Sequence, residues 1–379
     1  MTADRHIKLG TFVPPHHSNR ENVALCMRRD LALCEHLDQL GYAEFWMGEH
    51  HNSGLQIYGS PELFIAAAAE RTSRIKIGAA VISAPYHNPF LLADRIVQLD
   101  YQTQGRAMFG FGPGALSADA HMLGIPQAKS RDRMIESLDV ITRLIDGETV
   151  SETTEWYELH DARLQMEPFT QPRPTLAVSS FQTPTGAVTA GKYDLDLLCA
   201  GGAGVTDAFN LASQTAAQHG RTYDRSRIRV VSSFHLAETR EEAKKAMQFG
   251  AADWLEYLHV IRPPSAGDKA KAGDPVEAVI GARGAVVGTP DDALAALEQI
   301  WETTGGFGTL LMTGTNWMNF EATKRSYELF ARYVLPAFTG QNKRRDTSLQ
   351  WMKDNAVVFA DIRAKATEDA MNVKKTAAE

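Results

Sequence analysis

Cysteine is scarce in this chain of 379 residues, where only Cys26, Cys34 and Cys199 occur. None of them belongs to a Cys-x-x-Cys pair or to a spacing typical of metal ligands. The sequence therefore indicates neither a disulfide framework nor a zinc site. Cys26 and Cys34 fall on the apolar side of a predicted helix, where cysteine usually acts as a small hydrophobe.

Long apolar runs and an excess of basic residues are also missing. No apolar run reaches the roughly 18 residues that suggest a membrane-spanning helix, and the first residues carry no apolar signal core. We therefore expect a cytoplasmic protein with no membrane partner. The net charge of −7 leaves no excess of cations for phosphate backbones, which argues against a nucleic-acid partner. The content of 44% hydrophobic and 22% charged residues is that of an ordinary globular protein.

The common motifs of hydrolases and nucleotide-binding proteins are absent as well. The chain contains no Gly-x-Ser-x-Gly nucleophile elbow and no His-Glu-x-x-His helix. Residues 110–114, Gly-Phe-Gly-Pro-Gly, are rich in glycine, but Ala115 stands where the dinucleotide fingerprint requires glycine. We interpret these glycines as allowing a flat ligand to approach the backbone at a strand end.

Strands and helices alternate regularly along the chain. Short apolar runs are followed by amphipathic segments, and this alternation predicts an α/β protein built from βα units around a parallel sheet. No nucleotide-type reversal interrupts the first four units. This favours a closed (β/α)8 barrel of the TIM type, although the pattern alone also allows an open sheet. Eight strands are predicted, at residues 7–13, 44–48, 74–82, 105–112, 174–180, 195–200, 228–237 and 309–313.

Three segments depart from this alternation. Residues 148–166, after the fourth barrel helix, are predicted to form a small hairpin outside the barrel. Residues 262–288 carry prolines, glycines and charges, and a loop of that length is typical of a mobile lid. Residues 1–340 are predicted to form one barrel domain, and residues 341–379 a C-terminal tail with one helix.

Chemically active side chains follow the second predicted strand. Residues 44–51 begin as an apolar run and end in Glu-His-His at 49–51. In an α/β barrel, catalytic groups lie just past the carboxyl ends of the strands. His87 follows the third strand, and His16 and His17 follow the first, so all of them are expected to converge on one mouth. The alternative, ordinary solvated residues at strand ends, explains each of them singly.

A candidate anion site follows the fifth predicted strand. Residues 179–183, Ser-Ser-Phe-Gln-Thr, leave that strand and enter a helix, where hydroxyls and free N–H groups attract phosphate. Arg131, at the start of the fourth helix, is a candidate for the charged partner of a phosphate. The alternatives are helix capping by Ser180 or Thr183 and an ordinary surface arginine.

In combination, these segments resemble the bacterial luciferase-like family of flavin-dependent monooxygenases over about residues 7–338. Within the family the chain is similar to the group labelled limonene 1,2-monooxygenase-like. The resemblance implies a TIM-type barrel with a mobile insertion near strand seven, reduced FMN delivered by a separate flavin reductase, and a homodimer. It rests on Phe-Trp-Met-Gly-Glu-His-His (45–51), Gly-Ala-Ala-Val (78–81), Pro-Tyr-His-Asn-Pro (85–89), Gly-Arg-Ala-Met-Phe-Gly-Phe-Gly (105–112), Ser-Arg-Asp-Arg (130–133) and Val-Gly-Thr-Pro (287–290).

The resemblance also implies roles for individual residues. His50 matches the catalytic histidine of the family, and Glu49 stands beside it. Ser180 and Thr183 match hydroxyls that hold the FMN phosphate, and Arg131 matches a phosphate-binding arginine.

Three further positions bear on the flavin. Ala80-Val81 falls where family members have a non-prolyl cis peptide beneath the flavin ring. Gly112 replaces the reactive cysteine of luciferase, which makes efficient light emission less expected. Pro113 replaces an arginine that helps to hold the phosphate, so phosphate binding is expected to depend on the residues named above.

The function implied is oxygenation of a small, apolar organic molecule by reduced FMN and O₂ through a C4a-hydroperoxide of the flavin. His50 would donate or accept a proton, and Phe12, Trp46 and Tyr86 are candidates for lining an apolar pocket. One alternative is a deazaflavin-dependent hydride-transfer enzyme, for which no obvious basic cluster is present. The other is a non-catalytic flavin-binding subunit, against which the site residues argue. The sequence names neither the substrate nor the type of product.

Overall fold

The computed structural model describes residues 5–181, 183–202, 204–261 and 273–376. Eight strands pair in parallel into a closed barrel in the cyclic order β1-β2-β3-β4-β7-β8-β9-β12. The predicted (β/α)8 barrel is thus confirmed. The strands of the described residues are β1 (Lys8–Val13), β2 (Glu44–Met47), β3 (Lys76–Ser83), β4 (Ala107–Gly112), β5 (Val150–Thr153), β6 (Glu158–Ala162), β7 (Thr175–Ser180), β8 (Asp196–Ala200), β9 (Ile228–Ser232), β10 (Phe234–Leu236), β11 (Val286–Gly288) and β12 (Thr309–Thr313).

Helices follow the barrel strands, and local signals define many of their ends. In the first helix, the Asn22 side chain accepts the backbone N–H of Leu25, and Gly41 ends the helix with φ of 83°. The helices are α1 (Val23–Leu40), α2 (Pro61–Ala69), α3 (Pro89–Gln102), α4 (Ser117–Met122), α5 (Ser130–Ile145), α6 (Thr185–Tyr193), α7 (Val205–Gln218), α8 (Arg240–Met247), α9 (Ala251–Ile261), α10 (Pro275–Arg283), α11 (Pro290–Thr304), α12 (Phe320–Leu329), α13 (Leu335–Thr339), α14 (Lys343–Asp354) and α15 (Ala356–Thr376).

Apolar side chains from alternate strand positions fill the barrel interior. The central cluster consists of Trp46, Met108, Ala177, Leu198 and Leu311, all almost completely buried. Gly78 on β3 makes room for the indole, because a Cβ there would lie 2.5 Å from Cε3 of Trp46. The small residue at position 78 is therefore explained by packing.

A buried ion-pair network closes the amino-terminal end of the barrel. Arg229 donates from Nε to Oε2 of Glu44 at 2.7 Å and from Nη1 to Oδ2 of Asp196 at 2.6 Å. The Trp46 indole N–H also donates to Glu44, at 2.8 Å. Buried charges are stable only when they are paired and hydrogen bonded. Each charge of this network has such partners, so we assign the network a structural role at this end of the barrel.

The seventh predicted strand and the helix after it are each divided in two. Residues 228–232 form β9 within the barrel, whereas β10 pairs in parallel with β11 in a separate two-stranded sheet. The helix predicted over 240–258 is α8 and α9, with a break near Gly250. A Cβ at Gly250 would lie 1.8 Å from the carbonyl oxygen of Asn316, so the chain passes too close to another loop for any larger residue. The hairpin predicted over 148–166 is confirmed by the antiparallel pair β5 and β6.

The prediction of a long loop over residues 262–288 is wrong for its second half. Residues 275–283 form α10. Asp274 caps its N-terminus, because the Asp274 side chain accepts the backbone N–H of Val276. Residues 262–272 lie outside the described residues, and the mobility of the segment stays a prediction. Helices α9 and α10 share a buried apolar cluster that includes Trp254, Val279 and Trp317.

The chain divides into two compact units. One comprises residues 6–335, and the other residues 336–376 together with Arg5. The second unit contains α14 and α15, where Trp351 packs against Phe359 with ring centroids 5.0 Å apart, so the single helix predicted for the tail is wrong. The assignment of 1–340 and 341–379 as domains stays a prediction.

In the described part of the chain, no helix has the length and apolar character needed to cross a membrane.

Candidate active site

Glu49 is the centre of a hydrogen-bonded cluster at the carboxyl ends of β2 and β3. It follows the fully buried strand β2, and its side chain is itself buried. Its Oε1 accepts from Nε2 of His51 at 3.0 Å and from Nε2 of His87 at 2.9 Å. Its Oε2 accepts from the backbone N–H of Ser83 at 2.5 Å. One carboxylate therefore joins the loops that follow two neighbouring strands.

These contacts determine the charge of the cluster. Burial alone would raise the pKa of Glu49, but the hydrogen bonds from His51, His87 and the Ser83 amide lower it to about 2. The hydrogen bond to Glu49 raises the pKa of His51, and burial opposes this only partly. Glu49 is thus an anion throughout the physiological range, and it favours a cationic His51.

His87 is held in one tautomer by its two neighbours. Nε2 faces the Glu49 carboxylate, which can only accept, and Nδ1 lies 3.3 Å from Nη2 of Arg95, which can only donate. The neutral ring with its proton on Nε2 satisfies both contacts.

No group of three or more His, Cys, Asp or Glu side chains within the described ranges is arranged to hold a metal ion.

His50 points into a different environment from that of its neighbour His51. Its Nδ1 lies 3.5 Å from Oδ2 of Asp119, on α4, and its backbone N–H donates to the carbonyl of Tyr58 at 2.9 Å. Burial lowers the pKa of His50, and the charge of Asp119 opposes this. Adjacent histidines therefore have pKa values shifted in opposite directions, and His50 is the one that stays neutral near pH 7.

A small cavity of about 160 Å³ lies at the mouth of the barrel. His50, Glu49 and Ser83 supply its polar groups. The rest of its wall is largely apolar and comes from the inward-facing ends of the strands and the loops above them: Phe12, Pro14, Gly48, Ala80, Val81, Ala115, Phe181, Leu198, Val231 and Leu311. Such a space suits a small apolar molecule held next to an imidazole.

A larger cavity of about 830 Å³ adjoins the small one, and Val81, Ala115 and Phe181 line both. One part of its wall is apolar and includes Leu255 and Leu258 of α9. The two cavities together offer more space than a small substrate alone requires.

The other part of the larger cavity is suited to an anion. The N-terminal turn of α6 reaches it through Thr185 and Gly186, and Thr183 lies just before them. Arg131, in the first turn of α5, lines the same cavity, is exposed, and forms no ion pair with any described residue. Ser130 beside it is 3% exposed, and its hydroxyl has no hydrogen-bond partner among the described residues. Free helix N–H groups, a free guanidinium and an unpartnered hydroxyl fit a phosphate.

The structure brings most of the predicted site residues together. Glu49, His50 and Val81 line the small cavity with Ala80, and the peptide bond between Ala80 and Val81 is cis. Arg131 and Thr183 line the larger cavity. Ser180 lines neither, and Ser179 takes its place in the wall of the larger one.

Several other candidates lie elsewhere. His16 packs edge-on against Trp254 with ring centroids 4.9 Å apart, and His17 donates from Nε2 to Asp30 at 2.8 Å. Neither histidine lines the small or the larger cavity described above. Trp46 belongs to the interior cluster. Of the proposed apolar lining residues, Phe12 lines the small cavity, whereas Tyr86 lines neither. Tyr86 is half-buried beside Gly114, where a Cβ would lie 2.3 Å from the tyrosine hydroxyl oxygen.

Gly112, where the resemblance led us to compare a reactive cysteine, has no room for a side chain. A Cβ at this position would lie 2.5 Å from Cγ2 of Val81 and 3.3 Å from Oγ of Ser179. The glycine at the end of β4 therefore lets the carboxyl-terminal parts of β3 and β7 pack close to it at the mouth.

Sequence reasoning missed Asp119 and Ser130, and within the candidate stretch 179–183 it selected Ser180 rather than Ser179. Asp119 lies on α4, a short helix that was not predicted, and Ser130 was noted only as the neighbour of Arg131. Their signal is structural, since each of the first two carries a buried oxygen with no hydrogen-bond partner among the described residues.

Comparison with known proteins identifies the family of the chain. The model of the luciferase-like monooxygenase family matches residues 7–306. The chain belongs to this family. It is 44% identical over 363 residues to 4-hydroxyprotoasukamycin monooxygenase of Streptomyces nodosus subsp. asukaensis, covering 92% of this chain and 97% of that protein. It is 40% identical over 377 residues to limonene 1,2-monooxygenase of Rhodococcus erythropolis, covering 98% and 97%.

A solved structure shares the fold. The oxygenating constituent of 3,6-diketocamphane monooxygenase from Pseudomonas putida, a type II Baeyer-Villiger monooxygenase in complex with FMN, superposes with a TM-score of 0.74. The identity is 23%, and the match covers 87% of this chain and 98% of the other. The resemblance predicted from the sequence is therefore confirmed, and the monooxygenase names of the relatives support an oxygenase.

Proposed function

We propose that this luciferase-like family member is the oxygenase component of a two-component flavin-dependent monooxygenase. It binds reduced FMN delivered by a separate flavin reductase, and it uses O₂ to oxygenate a small apolar substrate. One observation carries the proposal: a cavity suited to an anion shares the lining residues Val81 and Phe181 with a largely apolar cavity that His50 lines. Family membership supports the oxygenase activity, and the FMN complex of a protein with the same fold supports the cofactor.

The residues of the larger cavity fit FMN. Arg131, Ser130, Thr183 and the N-terminus of α6 would hold the phosphate, and the cavity is large enough for the ring system to extend toward Val81. When bound, reduced FMN supplies the electrons that activate O₂. The chain supplies orientation and a site from which water is excluded.

His50 is the residue we assign to proton transfer. It lines the small cavity, and burial keeps its ring neutral near pH 7, so it accepts a proton and returns it. Glu49 stays ionised and is already bonded to three donors. We therefore assign Glu49 to holding the loops of the mouth in place rather than to carrying the proton.

The walls of the small cavity support an apolar substrate. Phe12, Leu198, Val231 and Leu311 line it on the barrel side, and burying apolar surface there favours a hydrophobic ligand. We also propose a homodimer and a cytoplasmic location, on the resemblance to the family alone.

Anaerobic titration with reduced FMN, followed by addition of ¹⁸O₂ and a panel of terpenes and cyclic ketones, tests the proposal. We expect reduced FMN to bind and ¹⁸O to enter at least one product. His50→Ala is expected to keep FMN binding within about twofold and to lose oxygenation, whereas His219→Ala, at an exposed position on α7's end, keeps both.

Three outcomes contradict the proposal. Reduced FMN fails to bind; or the chain binds only a deazaflavin and turns over without O₂; or it binds flavin and oxygenates none of the compounds, as a non-catalytic subunit would. Full oxygenation by His50→Ala would remove His50 from the mechanism while leaving the cofactor assignment intact.

A further inference from the structure

Asp119 is a buried carboxylate at the mouth of the barrel that the proposed chemistry does not yet use. It lies on α4 and is 1% exposed. Its Oδ1 has no hydrogen-bond partner among the described residues, and it lines neither cavity. Its Oδ2 lies 3.5 Å from Nδ1 of His50. A buried carboxylate with so few partners is unfavourable for folding, which points to a role in the site.

We propose that Asp119 is a positioning residue that holds the proton of His50 on Nδ1, so that Nε2 presents its lone pair to the small cavity. The inference rests on the proposed function, in which His50 transfers a proton. A carboxylate can only accept, so its presence beside Nδ1 favours the tautomer protonated there. Because Nδ1 faces Asp119 and the ring lines the cavity, Nε2 is the nitrogen that a ligand meets.

The surroundings of His50 strengthen this assignment. The titratable groups facing it are Asp119 from α4 and, on its own loop, Glu49 and His51. The carboxylate of Glu49 is occupied by His51, His87 and the Ser83 amide. Asp119 is therefore the carboxylate that faces Nδ1 of His50. The hydrogen bond from the His50 backbone N–H to the Tyr58 carbonyl holds the loop in the position that brings the two side chains together.

Tyr86 adds a second observation beside the same carboxylate. Its hydroxyl is buried without a hydrogen-bond partner among the described residues. Burial and the charges of Asp119 and Glu49 raise the pKa of Tyr86 to about 12, so it stays protonated and does not compete for the proton of His50. The proton on Nδ1 of His50 therefore stays between His50 and Asp119.

Nitrogen NMR of protein labelled with ¹⁵N-histidine tests the proposal without any turnover. The His50 signal is assigned by its loss in His50→Gln. In the unmodified protein near pH 7, we expect a neutral ring protonated on Nδ1. In Asp119→Ala, the ring is expected to shift toward protonation on Nε2, and in Asp119→Asn the pKa of His50 is expected to fall by about one, a tenfold change in its acid dissociation constant.

The pH profile of oxygenation supplies the second readout. Asp119→Asn is expected to move the acidic limb to lower pH by about one, with FMN affinity unchanged. Asp207→Asn, at an exposed position on α7, serves as the matched control and leaves both readouts where they are. Thermal melting checks that each variant is folded, and Asp119→Asn preserves the shape of the side chain if Asp119→Ala fails to fold.

The outcomes separate this proposal from the proposed function. If the tautomer and the pKa of His50 are unchanged in both Asp119→Ala and Asp119→Asn, the proposed role of Asp119 is wrong, whatever the activity of the variants. A shift in tautomer in a protein that oxygenates nothing supports the role of Asp119 and overturns the proposed function. Loss of FMN binding in Asp119→Asn overturns the positioning role in favour of a direct part in the cofactor site.

Discussion

Replacing Glu49 with glutamine is expected to destabilise the folded chain although the side chain keeps its size. The carboxylate accepts from His51, His87 and the Ser83 amide. Glutamine offers one accepting oxygen and one NH₂ group that only donates. If its oxygen faces the histidines, the Ser83 N–H loses its acceptor; if it faces Ser83, the two imidazole N–H groups lose theirs. Either orientation leaves at least one buried donor without a partner.

Two independent arguments give a similar magnitude. A buried donor left unsatisfied costs about 1–3 kcal/mol. Folding lowers the pKa of Glu49 from 4.5 to about 2, and a change of that size corresponds to about 3 kcal/mol. Because the folded state lowers this pKa, the stabilisation is fully present above pH 4.5 and disappears as the pH falls toward 2. We expect Glu49→Gln to lose about 2–3 kcal/mol of unfolding free energy at pH 7.

Urea unfolding between pH 7 and pH 3, followed by tryptophan fluorescence and by circular dichroism, measures the difference. Glu302→Gln, at an exposed position on α11, is the matched control and is expected to change little. The gap between Glu49→Gln and the unmodified chain should narrow below pH 4.5. A gap under about 0.5 kcal/mol at pH 7, or one that is the same at every pH, would refute the reasoning.

Other predictions follow from the same geometry. Arg131→Ala is expected to weaken binding of reduced FMN at least tenfold, since a charge-assisted hydrogen bond contributes about 1.5–3 kcal/mol; anaerobic titration measures it, and equal weakening for riboflavin, which has no phosphate, would contradict it. Gly112→Cys should destabilise the fold by about 1–3 kcal/mol, because its Cβ would meet Val81 at 2.5 Å; an unchanged thermal midpoint would disprove this. Burial lowers the pKa of His16 to about 4 and of His235 to about 3. Both histidines stay neutral in the folded state, whereas the same residues take up protons in the unfolded chain below pH 6.5. The free energy of unfolding should therefore fall below pH 6.5 by up to ~1.4 kcal/mol per pH unit for each histidine. His235→Phe should reduce the slope of unfolding free energy against pH in this range, and an unchanged slope would contradict the prediction.

Much of the candidate site could be read from local sequence. Residues 44–51 place Glu49 and His50 directly after a buried strand, and in a parallel barrel such positions all lie at one mouth. The same argument located Arg131 and Thr183 at helix starts, where both line the larger cavity. It failed for His16, which packs against α9 instead, because the position of α9 depends on contacts distant in sequence.

The choice between Ser179 and Ser180 shows a second limit. Neighbouring residues of a strand point to opposite faces, so an error of one residue exchanges the inside for the outside. Ala177 and Ser179 share the inward face of β7, which puts Ser179 in the cavity wall. No local pattern separates two consecutive serines, whereas the register of β7 against β4 and β8 does.

The sequence by itself determined the alternation of strands and helices and the family, because periodicity and motifs are local properties of the chain. It favoured a closed barrel, and the strand pairing of the tertiary structure decided the closure. The tertiary structure alone decided which buried oxygens are left without partners and which charges face each other. Asp119 meets His50, although 68 residues separate them in the sequence, only because α4 folds back over the mouth. Such pairings depend on the path of the chain through space, and so do the pKa shifts that follow from them.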